Sequence, residues 1–484
     1  MLARAYKVAR MDLGWASIEK AGACGTYDFS AYDALLAEME ENGVRPYWIL
    51  DYNNDNCYPS PGSSCTTAAC IEGYGKFGAA TVEHFKGRNI IFESVNEANG
   101  MGQDNASDIT AMCAAAGPHF LQAGEVFVGP TTAGIDFAYL NSTFEDGILA
   151  YLSGVSVHPY RSGPPESAAA ELRQLSAIIK QYVPAGMPIL SGEWGYTSAL
   201  PPCTYGNRVS QTDQGKFVPR MWFAALLGGA STMISYDWKD DGGDPTNCED
   251  NFGSVVQSGS TFTPKPSYLA ALAAQTGVGN ASSFDGRVSA NFVGAPPTWG
   301  LTPDSAFVLA FSGGELQGRP AFAVYTNVTT CMLAPVAGAR SSCGAAGVDE
   351  MGCIALGCCF DELLPANATD VPRCYVAAQP PQTPGKECPA SERTDCGYDG
   401  IGHDECVTTR GCCWDDSPHP AGPQCFFSAD GRAGGPLNIS FSVAPAAADA
   451  CFGLVDTFGF ARGQACASGG AITVEATDGP LYLF

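Results

Sequence analysis

Ile90-Ile-Phe-Glu-Ser-Val-Asn-Glu-Ala-Asn99 and Ile189-Leu-Ser-Gly-Glu-Trp-Gly-Tyr196 share one pattern: each opens as an apolar strand and closes on an acid, Glu97 in the first and Glu193 in the second. Outward from them, short apolar runs alternate with stretches of helical period, the signature of repeated β-α units around a parallel sheet. The strand candidates are Tyr6 to Met11, Arg45 to Leu50, Asn89 to Phe92, Val126 to Gly129, Gly154 to Val157, Pro188 to Leu190 and Thr232 to Ser235. Helical stretches lie between them at Tyr32 to Asn42, Ala168 to Tyr182 and Gly215 to Leu227. The steps from Glu97 to Thr131, to His158 and to Glu193 are 34, 27 and 35 residues. A (β/α)8 barrel of about 250 residues uses roughly 31 per unit. No Gly-rich phosphate turn follows any strand, so a dinucleotide-binding sheet fits less well and no cofactor is expected.

In such a barrel, residues at the C-terminal strand ends face the active site, so Glu97 and Glu193 converge although 96 residues separate them. Paired carboxylates are what glycosidic cleavage requires. One protonates the departing oxygen, and the other attacks or stabilises the oxocarbenium-like centre. The competing reading makes each Glu an ordinary surface ion-pair residue.

Together with their neighbours these segments resemble glycoside hydrolase clan A, whose retaining barrels carry Asn-Glu after the fourth strand and Glu after the seventh. The resemblance runs from Tyr6 to about Gly277. It points to family 39, with family 5 the near alternative, through Val8-Ala-Arg-Met-Asp-Leu-Gly-Trp15, Tyr27-Asp-Phe-Ser-Ala-Tyr-Asp33, Ile49-Leu-Asp-Tyr52 and Val155-Ser-Val-His-Pro-Tyr160. It implies Glu97 as general acid/base and Glu193 as nucleophile, with a covalent glycosyl-enzyme intermediate and net retention. It further implies that Asn96 bonds the sugar 2-hydroxyl, Arg10 holds Glu193 ionised, Tyr160 or His158 orients it, and Trp238 floors the sugar ring. For His158 a second reading stands, a histidine satisfied inside the barrel mouth. Trp15, Tyr52 and Trp194 are sugar-stacking candidates that also read as core. Counted in this frame, the first strand of the barrel is missing. The start, Met1 to Arg10, also has no apolar core of a signal peptide, so a longer natural N-terminus is expected.

After about Pro296 the pattern shifts to short alternating segments, Ser305 to Phe311, Pro320 to Tyr325, Asn438 to Val443 and Ala471 to Phe484, which read as a β-sandwich. Between Cys331 and Phe427 a Cys-, Pro- and Gly-rich tract interrupts it. The cysteine order repeats: Cys331, Cys343, Cys353, Cys358, Cys359, Cys374, then Cys388, Cys396, Cys406, Cys412, Cys413, Cys425. Metal binding competes, but histidines are few and paired C-x-x-C knuckles are missing, so no metal is expected. The second copy resembles a trefoil (P-type) domain in Arg393-Thr-Asp-Cys-Gly397, Asp404-Glu-Cys406 and Gly411-Cys-Cys-Trp-Asp415. The first is looser, with Ser341-Ser-Cys-Gly344 and Gly357-Cys-Cys-Phe-Asp361. The resemblance implies bridges Cys331 to Cys359, Cys343 to Cys358 and Cys353 to Cys374. In the second copy it implies Cys388 to Cys413, Cys396 to Cys412 and Cys406 to Cys425. It also offers glycans as partners, with Tyr398 and Trp414 lining a sugar-sized cleft or filling the module's small core.

The expected layout is therefore a barrel over 1–279, a sandwich over 296–330 and 428–484, and trefoil modules over 331–376 and 386–428. Nine of the 21 cysteines lie outside the modules. Cys203 with Cys248 can close the cleft rim, Cys451 with Cys466 can pair in the sandwich, and Cys57, Cys65 and Cys70 suggest a local staple. Cys24 and Cys113 have no assigned partner, and the odd number leaves one thiol over.

Composition bounds the partners. Fifty acidic residues against 25 basic give a net charge of −25, a surface that repels phosphate backbones, so nucleic acid is excluded. No apolar run approaches a membrane span. Dense cysteine with six N-x-S/T sequons, at Asn105, Asn141, Asn280, Asn327, Asn367 and Asn438, fits a secreted or luminal protein. The sequence thus reads as a retaining glycosidase acting on an oligosaccharide or polysaccharide. The alternative is a non-catalytic glycan- or mucin-binding secreted protein with a degenerate barrel.

Overall fold

The computed structural model describes residues 1–60, 65–100, 105–293, 303–316, 319–327, 342–343, 348, 352–353, 358–360, 373–375, 413–414, 425–426, 437–443, 447 and 449–484. The chain divides into two compact units, Met1–Val209 with Arg220–Thr263, and Ser210–Pro219 with Pro264–Phe484.

The first unit is a (β/α) barrel. Its strands are β1 (Val8–Gly14), β2 (Arg45–Asp51), β3 (Ile91–Glu93), β4 (Val126–Val128), β5 (Thr132–Ala133), β6 (Val155–His158), β7 (Ile189–Trp194) and β8 (Thr232–Ser235). They pair in parallel as β1-β2-β3-β4 and β5-β6-β7-β8. A parallel bridge from Val128 to Gly154 joins the two arcs. β4 and β5 are successive pieces of one segment, so the seven strand regions expected from sequence are the seven observed. Tyr47, Ile91, Val128, Leu190 and Ile234 pack with Val8 and Val126 in one cluster, and β1 approaches β8. Six strands thus supply one interior layer, as a barrel filled by branched and aromatic side chains requires.

Local chemistry sets the helix limits. Thr67 Oγ1, Asn105 Oδ1 and Asp136 Oδ1 accept the N–H groups of Cys70, Asp108 and Tyr139, starting helices Ala68–Phe85, Ala106–Ala123 and Phe137–Glu145. Gly124, at φ 75°, ends the second of these in the left-handed conformation that only glycine adopts freely. Two bridges brace the loops after β1 and β2. Cys24 is joined to Cys57 and Cys65 to Cys70, so Cys57 ties two barrel loops together where a purely local staple was expected.

The second unit holds a β-sandwich. One sheet has the strand order Ser283–Arg287, Ala306–Ser312, Ala321–Thr326, Leu481–Leu483, Cys451–Val455, Ala461–Cys466. The other has Ala290–Val293, Leu437–Ser442, Ala471–Ala476. Strict alternation explains the packing. Leu437, Ile439 and Phe441 turn inward with Ile472, Val474 and Ala476, meeting Val308, Phe322, Val324, Phe452 and Leu483 from the larger sheet. Two expectations shift here. The run from Ala471 to Phe484 is two strands, split by the turn at Thr477 to Pro480, and the sandwich begins at Ser283, ahead of the expected 296. Helix Pro266–Gly277, expected within the barrel region 1–279, belongs to the second unit, where Gly277 lies against Tyr482 so closely that a Cβ would meet the Tyr482 Cβ at 2.8 Å. Lys216 is buried there between Asp213 and Asp478, at 3.4 and 3.1 Å.

In the inserted region Cys359–Phe360 pairs with Cys374–Tyr375 and Cys413–Trp414 with Cys425–Phe426, both antiparallel. Cys343 is joined to Cys358 and Cys353 to Cys374, the pairs implied by the trefoil resemblance. The Cys331 to Cys359 bridge, all three bridges of the second module, and the side chains of Tyr398 and Trp414 lie outside the described residues. Cys451 and Cys466 face each other across their hairpin and are bonded. The odd thiol is Cys113, buried in helix Ala106–Ala123, where burial pushes its pKa up to about 12. No described helix is long and apolar enough to cross a membrane.

Candidate active site

The site grows from β1. Arg10, pointing into the barrel, donates from Nε to Glu93 Oε2 at 2.6 Å, from Nη1 to Glu193 Oε2 at 3.0 Å and from Nη2 to Asn96 Oδ1 at 2.6 Å. One guanidinium therefore ties together β3, β7 and the turn that carries Glu97. Burial works against its charge, and Glu93 and Glu193 overcome that, raising its pKa further.

Glu93 ends β3 with no exposure, and sequence reasoning missed it. Its Oε1 accepts from Tyr47 Oη at 2.9 Å and Ser156 Oγ at 2.5 Å, while Arg10 takes Oε2. Burial alone would raise its pKa, but Arg10, then His158 and the Ser156 bond, lower it below the ordinary carboxylate value. Gly192 permits this crowding, since a Cβ there would lie 2.7 Å from Ser156 Oγ and 2.8 Å from Glu93 Oε1.

Glu97 directly follows Asn96, at φ 45°, a left-handed conformation uncommon for any residue but glycine. The turn is fixed by Gly100 N–H on Glu97 O at 2.8 Å and by Ala98 N–H on Thr131 O at 3.1 Å. His158 Nδ1 lies 2.7 Å from Glu97 Oε1 and 3.9 Å from Glu193 Oε2, with its ring fully buried. Tyr160 Oη donates to Glu193 Oε1 at 2.6 Å. Both oxygens of Glu193 are thus occupied by donors. Oxygens of Glu97 and Glu193 and a nitrogen of His158 all lie within 4.8 Å of one another. A cation could be held by such a trio, but the Arg10 charge already sits on Glu193.

Both glutamates line a cavity of 590 Å³, and Tyr205, Asn207, Tyr236, Glu249 and Phe252 supply another part of its wall. That volume falls within the roughly 300–1,000 Å³ of small-ligand sites. The Cys203–Cys248 bridge joins the two loops that supply this wall. Below it, Asp51 ends β2 fully buried. Its Oδ1 accepts the Asn96 N–H at 3.1 Å, and burial, reinforced by Asp12, pushes its carboxyl up to about 8. Asp237, after β8, is pushed by burial to about 6.

The structure brings Arg10, Asn96, Glu97, His158, Tyr160 and Glu193 together. Tyr52, 44 % exposed, lies beside Asn96. Three aromatic expectations are corrected. Trp15 is fully buried between Tyr58 and Phe77 with its Nε1 on Glu19, so it is core. Trp194 is likewise buried, under the Arg161 guanidinium. Trp238 does not line the cavity. Its carbonyl is bonded to Ser254 and Val255 and its ring meets Tyr6 edge-on, whereas Tyr236, still on the β7 ladder through Trp194 O, does line it.

Trefoil (P-type) domains occupy residues 335–377 and 386–428. Over 79 residues, 16% of this chain, it is 38% identical to Integumentary mucin A.1 of Xenopus laevis, and over 40 residues, 8% of this chain, it is 50% identical to Trefoil factor 3 of Canis lupus familiaris. The chain spans 18% and 48% of the length of these curated relatives. Among solved structures, all of this chain superimposes on 76% of a family 39 glycoside hydrolase from Bacteroides cellulosilyticus WH2, with TM-score 0.62 and 16% identity. A glucosidase from Croceicoccus marinus gives TM-score 0.54 at 11% identity, over all of this chain and 90% of that one. A GH30 endoxylanase from Clostridium papyrosolvens C71 gives 0.51 at 9%, over 99% and 89%. At these identities the likeness defines the fold: a TIM barrel with a β-sandwich, here carrying trefoil domains.

Proposed function

We propose that the protein is an extracellular or luminal retaining glycosidase that cleaves β-linked O-glycosidic bonds of an oligosaccharide or polysaccharide. The observation that carries this reading is the Glu97–Glu193 pair, with oxygens within 4.8 Å of each other on one cavity wall. Retaining enzymes hold their carboxyl groups about 5–5.5 Å apart and inverting ones about 6.5–9.5 Å, so the spacing falls on the retaining side. The Arg10 and Tyr160 bonds to Glu193 support its reading as the nucleophile, and the His158 contact supports Glu97 as the acid/base.

In the first step Glu97 protonates the glycosidic oxygen as a Glu193 oxygen attacks the anomeric carbon. The bond to the leaving group breaks, and a glycosyl ester forms on Glu193. Glu97, now a carboxylate, removes a proton from water, which attacks the same carbon. The ester bond breaks, Glu193 is freed and Glu97 is again protonated. Asn96, anchored by Arg10 through Oδ1, has its amide nitrogen free of that bond to donate to the 2-hydroxyl. The trefoil modules add glycan contacts of their own. The bridged cysteines suit an oxidising compartment.

Azide separates the two roles. Glu193→Ala should lose hydrolysis of aryl β-glycosides, and azide should restore turnover with α-glycosyl azide as product. Glu97→Ala should fall by about 10²–10⁴-fold and yield β-glycosyl azide. Undiminished hydrolysis by Glu193→Ala, or the opposite anomers by NMR, overturns the assignment.

A further inference from the structure

We propose that Tyr205 and Glu249 form a sugar subsite on the cavity rim that accepts neutral or cationic rings and turns away uronic acids. This names the substrate class of the site just described and rests on that reading.

The pair is held by a built rim. Tyr205 lies two residues after Cys203 and Glu249 one after Cys248, so the bridge between those cysteines sets the two side chains beside each other. The Tyr205 loop is pinned by Asn207 Nδ2 on Gly195 O at 3.0 Å and by Val209 N–H on Thr197 O at 2.9 Å. The Glu249 loop is pinned by Thr197 Oγ1 on Cys248 O at 2.6 Å and by Asn251 Nδ2 on Asn247 O at 2.7 Å. Gly206 lets the first loop close against its neighbour, since a Cβ there would meet Ser162 Oγ at 2.3 Å.

What this rim offers is an aromatic face and a carboxylate. Tyr205 is 45 % exposed at the mouth of a cavity, an apolar surface for a molecule with C–H groups on one side. Glu249 accepts from Tyr236 Oη at 3.5 Å and from the Tyr205 hydroxyl, whose pKa that bond raises. Among the described residues no cation pairs with Glu249. Arg161, the basic residue of the wall, is spent on Glu171 at 2.9 Å and on the Trp194 ring. With Glu97 and Glu193 lining the same cavity, an incoming carboxylate meets three acids, and Arg161, the one basic residue among the lining ones, is already paired, whereas hydroxyls and ammonium groups meet acceptors.

The experiment compares purified wild type with Glu249→Gln, Tyr205→Ala and Tyr205→Phe on β-linked neutral, glucosamine-bearing and glucuronate-bearing oligosaccharides of equal length. Wild type should prefer the first two. Glu249→Gln should narrow the neutral-to-glucuronate ratio of kcat/KM by about tenfold, as expected for removing one nearby like charge. Tyr205→Ala should raise KM by about tenfold, and Tyr205→Phe, which keeps the face, should restore it. If wild type turns over the panel but the ratio and KM stay unmoved in these variants, the subsite is refuted and the glycosidase reading stands. If wild type neither binds nor hydrolyses any of them and the azide experiment also fails, the glycosidase reading falls and the subsite with it.

Discussion

A carboxylate without exposure costs several kcal/mol in lost hydration unless donors surround it, and Glu93 has three, from Arg10, Tyr47 and Ser156. Replacing it by Gln removes the charge that balances Arg10. We expect a loss of about 3 kcal/mol at pH 7 by urea unfolding, the cost of breaking a buried pair. Because the folded pKa of Glu93 is lowered, its stabilisation is fully present above the unfolded value of about 4.3 and fades as pH falls through the folded one. The gap between wild type and Glu93→Gln should therefore shrink by pH 3. Asp51 has the opposite sign. Its folded pKa, about 8, stands above the unfolded value of about 3.9, so the unfolded chain ionises first and native stability falls as pH rises from 4 to 8. Asp51→Asn keeps an oxygen for the Asn96 N–H and removes that slope. Thermal melts should place the variant near wild type at pH 4 and several degrees above it at pH 8; equal melting temperatures at both would refute the buried neutral acid.

Loops, more than strands, decide what the cavity presents. Gly206→Ala places a Cβ 2.3 Å from Ser162 Oγ, so the Ser162 hydroxyl, which also lines the cavity, must turn away or the Thr204–Asn207 loop must shift. The expected result is a several-fold rise in KM with a melting temperature within about 2 °C of wild type, read from initial rates and calorimetry. The same division explains what the sequence made legible. Strand ends were readable because an apolar run followed by an acid has one natural place in a barrel, and Glu97, His158, Tyr160 and Glu193 fall at or just after them, whereas Arg10 lies inside β1. Glu93 was not, because a Glu after Ile-Ile-Phe looks solvent-facing until Arg10, 83 residues away, is set against it. Trp15 looked like a platform because it follows a strand, but Tyr58 and Phe77, from the loop and helix after β2, bury it. Tyr205, Tyr236 and Glu249 carried no periodic signal. Only the spacing of Cys203 and Cys248 pointed to their loops.

At the scale of the whole molecule, the trefoil tract enters after the Ala321–Thr326 strand and leaves before Leu437–Ser442, strands that belong to different sheets of the sandwich. Their partners are set by strands outside the tract: Ala321–Thr326 pairs with Ala306–Ser312 and Leu481–Leu483, and Leu437–Ser442 with Ala290–Val293 and Ala471–Ala476. Among the described residues no partner in the sandwich ladder comes from the tract, and the described bridges of the first module, Cys343–Cys358 and Cys353–Cys374, close within it. Small stapled modules draw their stability from such bridges, about 2–4 kcal/mol each, more than from a shared core. Replacing 331–427 by a flexible Gly/Ser linker should therefore leave the sandwich folded, with the melting temperature of the remaining chain within a few degrees of wild type. Turnover of small aryl β-glycosides, chemistry confined to the barrel cavity, should stay within about twofold. Retention on immobilised mucin-type glycans should drop sharply, because the glycan contacts proposed for the modules go with them. A deletion that unfolds the sandwich would show that the tract is structural, and one that keeps full glycan retention would place the accessory contacts on the barrel or the sandwich.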